Sequence, residues 1–311
     1  MVSKIHYHPD NPSAEEEAAG YESDSDFEYV ELMNIAAHAV DISALEFKET
    51  IGFSFADSPQ LVLEPGERIL VAGNAAALQF RHGPGLPIAG TFQGDLSNGG
   101  EMLWLEGTGG AELKKFSYDD AAPWPLSPDG DGFVLVLNSP TTDPNAALGT
   151  NWRTSFVRGG KPGAADTSDP ETWREMNFAA EDLADPEKED TLWGGNADPD
   201  LDGMANLIEM VAGTSPVDSR SRPAPQLSWW TNPETEARHL TLSFRIREDL
   251  AGVEIVAKAS TDLESWPDDF PAVGAPASQG DGTTIVNFRD PVAVGDSATG
   301  NRFARIVVTE L

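Results

Sequence analysis

The chain has no cysteine among its 311 residues. Disulfide bridges and thiol chemistry are therefore excluded, although a sizeable β-domain is stable outside a cell without them. Positive charge is scarce, with 20 Lys and Arg against 52 Asp and Glu and a formal net charge of −32. Nucleic acid and anionic membrane surfaces both require a positive footprint, so neither is expected as a partner. No run reaches the roughly 18 apolar residues of a membrane span, and no membrane insertion is expected. Residues 1–10 carry no apolar stretch of the signal-peptide kind, so the chain reads as a fragment of a longer protein or a cloned segment. It also lacks G-x-S-x-G, H-E-x-x-H and a Gly-rich phosphate loop, and it is not expected to be an enzyme.

Hydrophobic residues make up 40% of the chain, enough for packed cores, and the length suits two or three domains. The most specific stretch is Asn196-Ala-Asp-Pro-Asp-Leu-Asp-Gly-Met-Ala-Asn-Leu-Ile-Glu209. Counting Asp198 as the first position, Asp198, Asp200, Asp202, Gly203, Asn206 and Glu209 fall at the first, third, fifth, sixth, ninth and twelfth places of an EF-hand-type calcium loop. Alternate residues of a tight loop aim their oxygens at one centre, and glycine at the sixth place permits the turn. Met204 would contribute its backbone carbonyl, and Glu209 would reach back from a helix over 204–212 stopped by Gly213. Six to eight hard oxygens in loose geometry favour Ca2+ over Mg2+. No second copy of the pattern exists. The loop resembles the single calcium loops of dockerin and thrombospondin type 3 repeats, which implies extracellular, structural calcium.

The first 164 residues read as many short strands with turns between them, an all-β sandwich. Strands are expected at 2–8, 27–34, 40–47, 52–55, either side of Pro65-Gly66, and at 101–106, 114–118 and 133–138. A short helix is expected over 75–81, and the acidic stretch 10–26 reads as a solvated loop. His6 and His8 share a strand face, but two ligands are too few for zinc, and they read as edge-strand histidines. Asp119-Asp120 reads as a loop closed by Trp124, and Asp129-Gly-Asp-Gly132 as a turn into the next strand.

Several of these segments carry a resemblance. Phe27-Glu-Tyr-Val-Glu-Leu-Met-Asn34 with Val40-Asp-Ile-Ser43, Leu63-Glu-Pro-Gly-Glu67, Leu96-Ser-Asn-Gly-Gly-Glu101, Tyr118-Asp-Asp-Ala-Ala-Pro-Trp-Pro125, Asn151-Trp-Arg-Thr-Ser155 and Gly159-Gly-Lys-Pro-Gly163 resemble, in order, the motifs of bacterial lamin-tail domains. One departure is Ala44-Leu45, where the family usually has Gly-Trp. The resemblance implies an immunoglobulin-like β-sandwich, found in secreted or surface multidomain proteins beside hydrolase or CotH-like kinase domains, and not itself a catalyst.

Residues 165–222 read as an acidic helical linker holding the calcium loop, with helices begun by Asp169-Pro170 and Asp185-Pro186. Residues 223–311 read as a second, small β-sandwich. Its segment Ala259-Ser-Thr-Asp-Leu-Glu-Ser-Trp266 resembles one in C-terminal β-domains of large secreted bacterial proteins. Trp229 and Trp230 point to opposite faces of a strand, one expected in the core and one at an edge.

The fold class expected is thus mainly β: a lamin-tail-type sandwich (1–164), a calcium-binding linker (165–222) and a second sandwich (223–311). The function expected is a non-catalytic, calcium-stabilised structural, adhesion or interaction module of a secreted or cell-surface bacterial protein. The alternative is an accessory carbohydrate-binding module attached to an enzyme, which requires a flat strip of exposed aromatics. Calcium is expected to order the linker and so fix the arrangement of the sandwiches. In the other outcome the linker packs on a sandwich through Trp173, Phe178 and Trp193 and is ordered without metal.

Overall fold

Alternating apolar side chains and frequent Gly, Pro and Asp turns build most of this chain into antiparallel strands. The computed structural model describes residues 1–222, 225–279, 282–293 and 301–311. They divide into two units, Met1–Asp166 and Thr167–Leu311.

The first unit runs β1 (Val2–His6), α1 (Ala14–Ala18), β2 (Tyr29–Met33), β3 (Val40–Asp41), β4 (Glu46–Glu49), β5 (Phe53–Ser54), β6 (Val62–Leu63), β7 (Arg68–Ala72), α2 (Ala75–His82), β8 (Ile88–Thr91), β9 (Glu101–Gly107), β10 (Ala111–Tyr118), β11 (Leu135–Leu137) and β12 (Trp152–Thr154). A six-stranded sheet has the order β12-β11-β1-β2-β7-β8, and a four-stranded sheet the order β10-β9-β4-β5. Val30, Leu32, Ile69 and Val71 of the first meet Phe47, Leu103, Leu105 and Phe116 of the second in one core. Strand β2 is buried on both faces rather than half-buried as its alternation implies, because Leu78 of α2 packs with Tyr29, Leu70 and Val134 on the far side.

Glu31 lies on that far side with none of its surface exposed. Lys4 Nζ donates to its Oε2 at 2.9 Å and also to the carbonyls of Lys161 and Ala164, at 2.7 and 2.6 Å. Arg68 forms a second ion pair with Glu31 at 3.1 Å. One buried charge cluster thus ties the closing segment of the unit to its first two strands.

Several expectations change. The stretch 10–26 is not simply a loop: Ser13 and Glu16 form a capping box that starts α1, and Arg81 holds the Glu16 carboxylate at 2.7 and 3.0 Å. The single strand expected over 40–47 is two, in different sheets, because the Asp41 carboxylate accepts from Ser43 N and turns the chain. β1 is interior, so His6 is not an edge residue; it is 1% exposed, and burial pushes its pKa down to about 3. His8 turns instead to Asp129, 2.8 Å away. Strands β8 and β12 were not expected from pattern.

In the second unit α3 (Pro170–Asn177), α4 (Ala180–Leu183) and α5 (Asn206–Ala212) precede β13 (Gln226–Thr231), β14 (Arg238–Arg247), β15 (Val253–Ser260), β16 (Asp268–Phe270), β17 (Ala277–Ser278), β18 (Thr283–Ala293) and β19 (Phe303–Glu310). The sheets are β13-β14-β18-β17 and β16-β15-β19, both antiparallel. Leu240, Leu242, Phe244 and Phe288 of one meet Ala257, Ala259 and Phe270 of the other. From Thr167 on, the stretch read as a linker is part of this unit. Trp173, Phe178, Leu207 and Met210 form a cluster to which Trp193, Val253 and Val308 pack, and Val211 and Ala212 enter the core between the sheets. An apolar stripe this large is buried against the nearest sheet rather than left as a tether. The expected boundary at residue 223 lies outside the described residues.

Trp229 and Trp230 both miss the core. Trp229 faces the same side as Leu240 but lies on the edge strand β13, 53% exposed, and Trp230 is covered by Arg289 on the other side.

A buried carboxyl in the first unit gives a pH test. Glu28 is 3% exposed, and burial, with Asp95, Asp24 and Glu101 adding, pushes its pKa up from 4.5 to about 8 despite the bond it accepts from Leu96 N. A raised folded pKa means that its stabilising contribution is complete below about 4.5 and is lost as pH rises through about 8. Urea unfolding of the first unit is expected to weaken across that window by up to about 1.4 kcal/mol per pH unit, and Glu28→Gln is expected to flatten the decline.

Candidate metal centre

The loop Asp198–Gly203 is shaped by its own carboxylates. Asp202 N donates to Asp198 Oδ1 and Asp200 Oδ1, both at 3.1 Å; Gly203 N donates to Asp198 Oδ2 at 2.9 Å, and Met204 N to Asp202 Oδ1 at 2.7 Å. These bonds draw ligand oxygens of Asp198, Asp200 and Asp202 within 4.8 Å of one another. Two backbone positions turn left-handed, Leu201 at φ 60° and Gly203 at φ 92°. A Cβ on Gly203 would touch nothing within 4 Å, so glycine is required there for its dihedral and not for space.

Both ends of the loop are fastened. Asn206 N donates to Ala197 O at 2.9 Å, and Leu207 N to Gly195 O at 3.0 Å. The Asn206 amide donates to the carbonyls of Leu192 and Gly194, at 2.8 and 2.9 Å. Helix α5 therefore begins at Asn206, two residues later than the spacing predicted, because the Met204 amide is held by Asp202.

Glu209 lies on the first turn of α5 with none of its surface exposed. Its Oε1 accepts from Thr214 Oγ1 at 3.3 Å, and its Oε2 has no partner. Burial, followed by repulsion from Asp200, Asp202 and Asp198, pushes its pKa up to about 8. Asp200 Oδ2 and Asn206 Oδ1 are likewise buried and unpartnered. Three orphaned oxygens of three expected ligands thus lie shielded from water in one short loop and its helix. Such orphans are rare in a finished fold and require an account. A hard cation with oxygen ligands fits this donor set, and calcium tolerates its irregular spacing.

Of the six expected ligands, the structure gathers the three aspartates and puts Glu209 and Asn206 in contact with their field or their loop. For Met204 it shows the amide bonded to Asp202 and the side chain half-buried. Asn206 also has a role that spacing does not reveal, clamping the loop's entrance. Two further residues were missed. Thr214 steadies Glu209, and Arg222 bonds Asp202 from 20 residues downstream, through Nε to Oδ2 at 3.1 Å and through Nη2 to the carbonyl. Neither lies within the motif, so spacing carries no signal for them.

Asp119, also considered at the sequence level, accepts from Ala121 N at 2.9 Å in an ordinary turn. Among the described residues no helix is long and apolar enough to cross a membrane. No family model, curated protein or solved structure matches the chain.

Asn206→Ala is expected to destabilise the second unit by about 2 kcal/mol, since it removes both hydrogen bonds that the amide donates, to the carbonyls of Leu192 and Gly194. Urea unfolding in chelating buffer, where no metal contributes, measures it.

Proposed function

We propose that the chain is a non-catalytic module of a secreted or cell-surface protein, and that its second unit is stabilised by one calcium ion held at Asp198, Asp200, Asp202, Glu209, Asn206 and the Met204 carbonyl. The observation that carries this reading is the set of buried, unpartnered oxygens on Asp200, Asn206 and Glu209 beside the other two carboxylates. When bound, calcium supplies charge neutralisation and ligation, not catalysis. The chain's own residues do the rest: Asp198 and Asp202 bend the loop, Asn206 fastens it, and α5 presents Glu209.

The first unit is read as an immunoglobulin-like sandwich of the lamin-tail type. Support comes from what the resembling motifs do. Asn34 donates to the carbonyls of His38 and Leu63, joining the first motif to the second. Glu67 accepts from Glu64 N and closes the Pro65-Gly66 turn. Trp152 stacks on Phe116, lies 5.9 Å from Trp124 and donates to Ala146 O. Tyr29 OH donates to Gly159 O in the last motif. These are joints of a scaffold rather than members of a reactive cleft. The carbohydrate alternative draws less support, because the exposed aromatics among the described residues are Phe80 and Trp229, one in each unit, and a single ring is no strip.

Titration calorimetry of calcium-stripped protein is expected to show one calcium site, weakened at least about tenfold by Asp200→Ala. Because the ion binds the folded unit, saturating calcium raises its stability by about 2.7 kcal/mol at a hundredfold excess over Kd. Equal heats for wild type and variant, or no heat from either, would overturn the assignment.

A further inference from the structure

Among the expected ligands, Asp202 is the one whose carboxylate is bonded by a cationic side chain, Arg222. Its Oδ1 accepts from Met204 N and its Oδ2 from Arg222, whereas Asp200, Asn206 and Glu209 each keep one buried oxygen without a partner. Arg222 also donates to the Asp202 carbonyl, so its guanidinium grips one residue at two points. The Asp202 side chain is fully buried while that of Arg222 is about half exposed, 54%. The guanidinium thus reaches the cluster from the solvent side.

The path of the chain explains the reach. Gly213 ends α5 in the left-handed region, with its amide on Glu209 O. Ser215 N then donates to Ser221 Oγ at 2.9 Å and Ser221 N to Asp218 O at 2.7 Å. The segment 213–222 closes on itself and brings Arg222 back over the loop it left.

Resting on the calcium reading above, we propose that Arg222 is a tethered counter-cation that lowers the loop's affinity for calcium and is in turn loosened by calcium. The guanidinium and the ion share one carboxylate. A carboxylate oxygen has room for two partners, so sharing is geometrically allowed. It is electrostatically opposed, because two positive charges meet at a buried group where salt screens poorly. Without metal, Arg222 offsets one of four crowded carboxylates and keeps the segment 215–222 folded back. With metal, that service is redundant. Coupling between two sites is reciprocal, so whatever factor Arg222 costs calcium, calcium costs the Arg222 contact. The loop is then matched to the high calcium outside cells rather than to trace calcium, and the segment leading toward β13 becomes metal-responsive.

The full-length chain tests this. Calorimetry with calcium is run on wild type, Arg222→Gln and Arg222→Lys, and hydrogen–deuterium exchange of residues 215–222 is followed in chelator and in calcium. Arg222→Gln is expected to bind calcium at least about fivefold more tightly, with Arg222→Lys staying closer to wild type because the charge is kept. In wild type, calcium is expected to speed exchange across 215–222; in Arg222→Gln exchange is fast in both conditions. Weaker or unchanged binding by Arg222→Gln, a lysine variant that behaves like the glutamine one, or slower exchange in calcium overturns the counter-cation. Absence of calcium binding by wild type defeats the calcium reading itself, which separates the two failures. Should Arg222→Gln fail to fold, the exchange response of wild type decides alone.

Discussion

A carboxylate taken out of water must find a cation, a set of N–H donors or a proton, and this chain has few cations to offer. Its 52 acidic residues face 20 basic ones, and the folded units place several of the latter where acids are buried. Lys4 and Arg68 meet Glu31, Arg81 meets Glu16, Arg302 meets Asp290 and Arg222 meets Asp202. Each pair also joins distant parts of a unit. Lys4 ties strands to the closing segment, Arg81 ties α2 to α1, and Arg302 reaches both Asp290 and Asp268. Among the described residues, two buried acids have no cation beside them. Glu28 accepts the Leu96 amide and is pushed toward its protonated form, and Glu209 keeps an oxygen without any partner. The first is a solution by proton. The second has the form of a place where a cation belongs.

The two cases differ because their neighbours differ. Around Glu28 burial raises its pKa, the further acids Asp95, Asp24 and Glu101 add to it at a distance, and the backbone supplies one donor. Around Glu209 three aspartates have been bent toward one another by the loop's own amides, so that several oxygens converge. Convergence costs repulsion, and in the calcium reading proposed above a divalent ion offsets it. Proton uptake by Glu209 relieves part of the repulsion and leaves Asp200 and Asn206 oxygens unsatisfied, so it is the poorer account of the same geometry.

Sequence period and turn chemistry were enough to find most strands and the loop, since both are local properties. The strand starting at Glu101 and the Asp169-Pro170 helix start coincide with expectation because alternation and capping act over a few residues. What escaped depends on distant partners. Helix α1 looks like a solvated acidic stretch until Arg81, 65 residues away, settles Glu16. Strand β2 looks half-buried until α2 covers it. Trp229 looks like a core residue by face and is exposed because β13 is at the edge of its sheet. Arg222 carries no motif at all, and only the return of the chain after Gly213 makes it part of the centre.

The largest revision concerns where binding energy would go. Read as a free linker, 165–222 would let a metal order a tether between two separately stable sandwiches. The structure builds it into the second unit, with Trp173, Phe178 and Met210 packed beside β15 and β19. Helix α5 then has two faces with different tasks: Glu209 turns to the loop, while Val211 and Ala212 enter the core between the sheets. A short helix of 7 residues is not stable by propensity and depends on that packing. Anything that tightens Glu209 against the loop also tightens the helix against the sheets, because the two are turns of one rigid element. The acidic loop is therefore coupled to the core through a single helix, and the effect of the calcium proposed for it is expected as stability of the whole second unit rather than as order in a connecting strand of chain.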